Sequence, residues 1–385
     1  PELIKFADYQ FLFHRYFAGF TRIDTFAAHI LIKMRKLIFA ATILMLSVSA
    51  SYAQKASYKP AVIGFYNLEN FYDTINNPSV NDEEFLPNSD RHYNTRVYFD
   101  KISRLSRVIS EMGTNYNPDG LAILGVAEIE NDTVLTDLVH SKNLKDRNLK
   151  FVHYNSPDVR GVDVGLLYNP KYFTPLFSEP LFVKLPGGAK DSYFTRDVLY
   201  VKGLLDGDTV HVFVNHWPSR VGGEERSMPG RAAAAGVAKH AIDSIMAINP
   251  DSKVALMGDL NDDPISPSVT KVIGAKGKIK DVARSGMYNP WVDFYKNGIG
   301  TLAYQDAWGL FDQIMLSQAW LDKNQKGYHY YKAFIFNPEY MVQQTGKYRG
   351  YPKRTWDGTI YNYGYSDHFP TYIVTLKKVD TAKTN

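Results

Sequence analysis

The sequence predicts an α/β fold built on mixed sheets, and three observations carry this. Apolar runs of strand length alternate with amphipathic helical patterns along the chain. A tight hairpin, with Asp206-Gly207-Asp208 between strands at 198–205 and 209–214, interrupts that alternation, which a purely parallel doubly wound sheet would not contain. No internal repeat or low-complexity linker divides the chain, so residues 54–385 are expected to form one domain.

Residues 61–66 (Ala-Val-Ile-Gly-Phe-Tyr) form an apolar run suited to a buried strand. The stretch 76–96 is rich in Asn, Asp and Pro and reads as loop. Ile102, Leu105, Val108, Ile109 and Met112 recur at helical spacing over 97–112, and Gly113 and Pro118 close that helix. Residues 121–126 predict a second strand. Asn131-Asp132 then offers an N-cap for a helix carrying Val134, Leu135, Leu138 and Val139. Strands are expected at 162–168, 253–257, 311–316 and 372–374, and an Ala-rich helix at 231–246. The stretch 321–365 reads as a long insertion, crowded with Tyr and carrying Lys347, Arg349, Lys353 and Arg354. A loop of that length is functional or disordered, or else an ordered excursion whose tyrosines pack.

Met34-Arg35-Lys36, the apolar run 37–48 and Ser51-Tyr52-Ala53 have the pattern of a secretory signal peptide over 34–53, cut after Ala53. The protein is therefore expected to be exported, to the periplasm or outside the cell, with no stable membrane insertion after cleavage. Residues 1–33 read as an upstream extension from a mis-assigned start. Setting aside six basic and three acidic residues in 1–53 lowers the net charge from +4 to +1. Bulk charge thus gives no reason to expect a nucleic-acid partner. The absence of cysteine excludes disulfides, thiolate metal sites and cysteine nucleophiles.

Five polar clusters stand beside apolar runs: Asn67-Leu68-Glu69-Asn70, Glu128-Ile129-Glu130-Asn131, Asn215-His216-Trp217-Pro218-Ser219-Arg220, Gly258-Asp259-Leu260-Asn261 and Gly364-Tyr365-Ser366-Asp367-His368. Glu128 ends a buried strand, where a carboxylate is costly unless a cation or hydrogen bonds satisfy it. It reads either as a metal ligand or as an N-cap or surface acid. Asp259 and Asn261 share a face if the chain stays extended, although Gly-Asp-x-Asn also suits a turn. A lone His is more often structural than catalytic. Two at strand ends, His216 and His368, can serve as general base or as donors to a developing oxyanion. Asp163 and Asp312 interrupt apolar strands, an expensive place for unpaired acids, and are candidates to orient those histidines. Arg220 and Arg231 flank the His216 motif and could grip a phosphate, whereas Arg226 reads as surface charge. Carboxylates, amides and imidazoles without thiols suit a hard divalent cation and phosphate-ester hydrolysis. The widely separated histidines argue against a zinc site.

This ordered set resembles the endonuclease/exonuclease/phosphatase superfamily, typified by pancreatic deoxyribonuclease, over roughly residues 61–376. The Asn-His-Trp-Pro-Ser-Arg motif is similar to that of secreted, nuclease-like bacterial members. The resemblance implies a four-layer α/β sandwich of two mixed β-sheets flanked by helices. It implies that Asn67 and Glu128 hold Mg²⁺ (Mn²⁺ or Ca²⁺ being alternatives), with Asp367 close to the metal. Asp259 would position or deprotonate the attacking water, and Asn261 would touch a phosphoryl oxygen. His216 and His368 would stabilise phosphate charge, paired with Asp163 and Asp312 respectively. Leu310-Phe311 stands where many members carry an arginine, which bears on substrate contacts and leaves the metal site intact. The implied activity is a metal-dependent phosphoesterase with nucleic acid as substrate. Lipid or inositol phosphates are the alternative, and an inactive binding module of the same fold is a third reading. The Tyr-rich basic stretch favours nucleic acid through base stacking.

Overall fold

The computed structural model describes residues 26–42, 57–187 and 194–379. In chain order the strands are β1 (Ser57–Phe71), β2 (Leu121–Ile129), β3 (Lys150–His153), β4 (Asp163–Tyr168), β5 (Phe173–Leu181), β6 (Val198–Leu205), β7 (Asp208–His216), β8 (Lys253–Asp259), β9 (Met287–Tyr288), β10 (Leu302–Tyr304), β11 (Ala307–Gly309), β12 (Asp312–Ser317), β13 (Tyr328–Ile335), β14 (Trp356–Asp357), β15 (Ile360–Tyr361) and β16 (Thr371–Val379). The helices are α1 (residues 26–42), α2 (Thr95–Glu111), α3 (Asp132–Val139), α4 (Glu224–Ile248) and α5 (Val292–Lys296).

Period-two alternation sorts each strand's side chains onto two faces, and this decides the layering. In β1, Ala61, Ile63 and Phe65 join one buried cluster, while Val62, Tyr66 and Leu68 join another. The first cluster also takes Val210, Val212 and Val214 of β7, with Ala255 and Met257 of β8, so it fills the space between two sheets. The second packs the other face of the β1 sheet against Leu105 and Val108 of α2 and Leu135 and Leu138 of α3. A third joins Phe213, Val254 and Leu256 to Ala234, Ala238 and Ile242 of α4. The result is four layers: helices, sheet, sheet, helix. The first six-stranded sheet runs β13-β16-β1-β2-β4-β3 and the second β5-β6-β7-β8-β12-β9. Both are mixed, since β1 and β2 are parallel, as are β7 and β8, while β4, β6 and β12 pair antiparallel with their neighbours.

Local sequence accounts for many boundaries. The Asn94 side chain accepts from the amides of Arg96 and Val97 and starts α2, and Asn131 caps α3 in the same way. Asp206 and Gly207 both take left-handed φ (47° and 88°), as the two-residue turn joining β6 to β7 requires. Helix α4 begins earlier than the expected 231, running through Pro229. Arg231 steadies its start by donating to the Glu224 carbonyl and the Ser227 hydroxyl.

Besides the two- and three-residue strands β9, β10, β11, β14 and β15, three longer strands escaped the sequence reading. β5 contains Pro175 and Pro180, which an edge strand tolerates because a donor there faces outward. β3 is only four residues long. β13 lies inside the stretch 321–365 that reads as loop, and forms the edge of the first sheet with a register shift between Tyr330 and Lys332. Helix α1 is exposed throughout and crosses the expected boundary at Met34 without a break. The expected cut after Ala53 lies outside the described residues. No described helix is long and apolar enough to cross a membrane.

Candidate active site

The inward-facing series of four strands end in polar side chains at one end of the sandwich. Ala61, Ile63 and Phe65 lead to Asn67; Val210, Val212 and Val214 lead to His216; Ala255 and Met257 lead to Asp259; and Leu316 and Ile314 lead back to Asp312. Register completes the convergence: His216 stands beside Asp259, Asp259 beside Asp312, and Asn67 beside Ala127. Irregularities then re-aim the chain. β1 shifts register between Asn67 and Phe71, and β2 between Ala127 and Ile129. Glu69, Asn70, Glu128 and Asn261 all adopt left-handed φ, between 49° and 59°. Such backbone costs about 1–3 kcal/mol per residue and concentrates at functional sites.

Asn67 Nδ2 donates to Asp259 Oδ2 at 3.0 Å and to Glu128 Oε1 at 3.2 Å, linking the two acids. The other Glu128 oxygen accepts the Asn70 amide at 2.7 Å. His216 Nε2 lies 3.8 Å from Glu128 Oε1 and 3.7 Å from Asp259 Oδ2. His368 Nε2 approaches the same Asp259 oxygen at 3.9 Å and Asp367 Oδ1 at 3.9 Å. Behind it, His368 Nδ1 meets Asp312 Oδ2 at 2.7 Å, and the Thr301 hydroxyl donates to that oxygen. The Ser366 hydroxyl ties the final loop to the Asn67 carbonyl and accepts the His368 amide.

Charge is distributed unevenly among these groups. Burial, with Asp312 and Glu128 adding to it against His368, pushes Asp259 up to about 6. Burial likewise disfavours the Glu128 carboxylate, but Arg160, His368 and the Asn70 and Asn67 hydrogen bonds outweigh it and lower its pKa. His216 falls well below the ordinary imidazole value because burial, Arg196, Arg160 and His368 all oppose a second positive charge. His368 goes the other way. Burial opposes its charge, yet Asp312, Asp259 and Asp367 prevail and hold it protonated well above the ordinary range. The hollow therefore pairs a neutral imidazole with a charged one, on either side of a carboxylate poised near neutrality.

Asn67, Glu128, His216, Asp259, Asp312, Asp367 and His368 are thus brought together, and Asp312 pairs with His368 as expected. Asp163 does not pair with His216. It stands at the start of β4, where its oxygens meet His153 Nε2 at 3.2 Å and the Ser156 amide at 2.8 Å. His216 is held instead through its backbone, whose carbonyl accepts from Arg196, itself paired with Asp158 at 3.0 Å. Arg231 is fully buried and bound to Asp262 at 2.7 Å, so it cannot reach a phosphate. Arg220 is also a structural clamp. It bonds the Asn261 carbonyl and Asp263, and stacks 4.5 Å over Phe311. Asn261 leaves the strand rather than extending it: its amide N–H caps Asp259 Oδ1 and its side chain donates to the Trp217 carbonyl. Asn67 faces the acids with its nitrogen, because Oδ1 accepts the Glu69 amide at 2.9 Å.

The sequence reading missed several neighbours. Glu69 is buried against Lys101 and the Thr355 amide, with Arg354 3.6 Å away. Arg354 reaches Asp367 at 3.5 Å and remains half-exposed at the rim. Arg160 acts electrostatically on both Glu128 and His216. Glu69 and Arg354 already stand inside motifs noted in the sequence, but nothing local shows that these distant segments meet.

The sequence pattern of the endonuclease/exonuclease/phosphatase family matches residues 62–378. Comparison with curated proteins gave no match. Among solved structures, an endonuclease/exonuclease/phosphatase family protein from Bacteroides thetaiotaomicron aligns with a TM-score of 0.51 at 13% identity, covering 84% of this chain and 100% of its own. A mannosyl-6-phosphatase from Bacteroides thetaiotaomicron aligns with a TM-score of 0.50 at 13% identity, covering 82% and 99%. These likenesses show the shared fold. With the family pattern spanning nearly all of the two-sheet sandwich, the chain belongs to the endonuclease/exonuclease/phosphatase family, whose members are phosphoric ester hydrolases.

Proposed function

We propose that the protein is a divalent-metal-dependent phosphodiesterase acting on nucleic acid. The observation that carries this is the convergence of Glu128, His216, Asp259, Asp312 and His368 from five separate strands and loops into one buried hollow. Ligand atoms of Glu128, His216 and Asp259 lie within 4.8 Å of one another, as do those of Asp259, Asp312 and His368. With the two imidazoles engaged otherwise, the carboxylates of Glu128, Asp259 and Asp367 are the oxygen donors that suit a hard cation such as Mg²⁺, with Mn²⁺ or Ca²⁺ as alternatives. Glu128 and Asp367 would hold it, and Asn67 would contribute through its carbonyl oxygen after turning its amide, or else only bridge the acids. When bound, the cation supplies Lewis-acid stabilisation of a phosphoryl oxygen.

The chain's own groups divide the remaining work. Asp259, with one oxygen fixed by the Asn261 amide and the other by Asn67, orients the attacking water and accepts its proton. Neutral His216 offers its Nε2 hydrogen to a phosphoryl oxygen without adding charge. Protonated His368, fixed by Asp312, supplies positive charge and a proton. Asn261 takes part through Asp259, since its side chain is already committed to Trp217.

A phosphodiester carries one negative charge where a monoester carries up to two. The hollow gathers Glu128, Asp259, Asp312 and Asp367 around few cations, chiefly His368, Arg160 and Arg354, which favours the singly charged group. A second reading, hydrolysis of a sugar phosphate, is favoured by the acids and amides beside Asp367, which suit hydroxyl groups; mannosyl-6-phosphatase is the name of one structural neighbour. Export through the leader-like segment 34–53 belongs to the same proposal. Nicking of plasmid and cleavage of oligonucleotide, each with and without Mg²⁺, set beside mannose 6-phosphate and sphingomyelin, tests it. Mg²⁺-dependent cleavage of nucleic acid alone is expected. Release of phosphate from the sugar ester alone selects the second reading.

A further inference from the structure

Beside Asp367 a cavity of about 550 Å³ opens between the β10–β11 hairpin and the segment 343–362. Tyr304, Tyr348 and Tyr351 line it, with the amides of Gln343 and Asn362 and the cation Lys347. Tyr304 is 73% exposed, whereas Tyr348, 42% exposed, packs beside Tyr351 and carries the Lys347 ammonium 5.5 Å from its ring centre. The walls are nonetheless fixed. The Tyr351 hydroxyl donates to Asp306 at 2.6 Å and accepts the Asp306 amide, joining the hairpin to the opposite segment. Tyr351 also packs on Trp308, which stacks on Phe369 next to His368. The hairpin is tied to the catalytic groups as well. Thr301, at its base, donates to Asp312 and gives its carbonyl to the Phe369 amide. Arg354 and Asp367 line the cavity and also border the hollow, so the cavity adjoins the site.

We infer that this cavity takes one unpaired nucleoside adjoining the scissile phosphate, which makes single-stranded nucleic acid the substrate. The inference rests on the nucleic-acid reading above. Exposed tyrosine faces stack a base whichever base it is, and a base can be stacked this way only when its own face is free of a duplex neighbour. Side-chain amides supply both donors and acceptors for the base edge or the sugar. Lys347, over the Tyr348 ring, and Arg354, beside Asp367, are the cations of this lining that a substrate backbone phosphate could meet.

The test uses the full chain with Mg²⁺ and three substrates: a single-stranded oligonucleotide, the same strand carrying abasic residues, and the matching duplex. Wild type is expected to cleave the base-bearing single strand at least about tenfold faster, as kcat/KM, than either alternative. In Tyr304→Ala/Tyr348→Ala the preference for the base-bearing over the abasic strand should fall to about one, while Tyr304→Phe/Tyr348→Phe keeps it. Equal cleavage of base-bearing and abasic strands by wild type, or full preference in the double Ala variant, overturns the assignment of the cavity and leaves the nuclease reading standing. Failure to cleave any of the three strands overturns the nuclease reading itself, and this inference with it.

Discussion

At the scale of single residues, the site works by giving similar groups opposite charge states. His216 and His368 flank one carboxylate, yet burial and nearby arginines keep the first neutral while Asp312 keeps the second protonated. Asp312→Asn is expected to lower kcat by about 10²–10⁴. Because the raised His368 pKa depends on Asp312, the alkaline limb of its pH–rate profile should move to lower pH. Asp163 makes the contrasting case. The resemblance implies that it partners His216, but it braces His153, whose other ring nitrogen meets Asp132 at 2.8 Å. Asp163→Asn should therefore cost about 1–3 kcal/mol in denaturant unfolding while changing kcat by less than about tenfold. Polar residues at strand ends were visible in the sequence. Which acid would face which imidazole was not, since Asp163 and Asp312 sit in equally apolar surroundings and only sheet register separates them.

At the scale of elements, β8 carries the site's central acid and depends on a close approach to β7. Gly258 lies opposite Asn215, and an added Cβ would fall 2.2 Å from the Asn215 carbonyl oxygen. Gly258→Ala must push the two parallel strands apart one residue before Asp259. A stability loss of about 1–3 kcal/mol, read by thermal unfolding, should accompany a fall in turnover larger than any change in KM. Strands with long apolar runs, such as β1, β2 and β8, were legible because both their faces are buried. β5 was hidden by two prolines that only an edge position allows, and β13 by the polar composition of His329, Tyr330, Tyr331 and Lys332. The breaker-like Met228-Pro229-Gly230 concealed the first turns of α4, which Arg231 holds in place.

At the scale of the whole molecule, acids collected at one end of the sandwich leave repulsion that a cation relieves. Mg²⁺ should raise the melting temperature, by the equivalent of about 2.7 kcal/mol at a hundredfold excess over Kd. Glu128→Gln should abolish that shift, and chelation should abolish turnover. Acid stability has a source elsewhere. Burial, with Lys202 adding to it, lowers His211 from about 6.5 to about 4, and its Nδ1 meets the Tyr200 hydroxyl at 2.7 Å. The folded state thus binds fewer protons than the unfolded chain between those values. His211's contribution is complete above pH 6.5 and is lost as pH falls toward 4, so His211→Gln should flatten the slope of stability against pH in that window. By itself the sequence determined the α/β class, the mixed pairing and the polar strand ends, because hydrophobic periodicity and turn chemistry are local properties of the chain. Only the tertiary structure decided which acid orients which histidine, why Arg220 and Arg231 are clamps, and where a cavity meets the site. Those outcomes depend on contacts between segments up to some hundreds of residues apart, which burial and register select and local sequence does not encode.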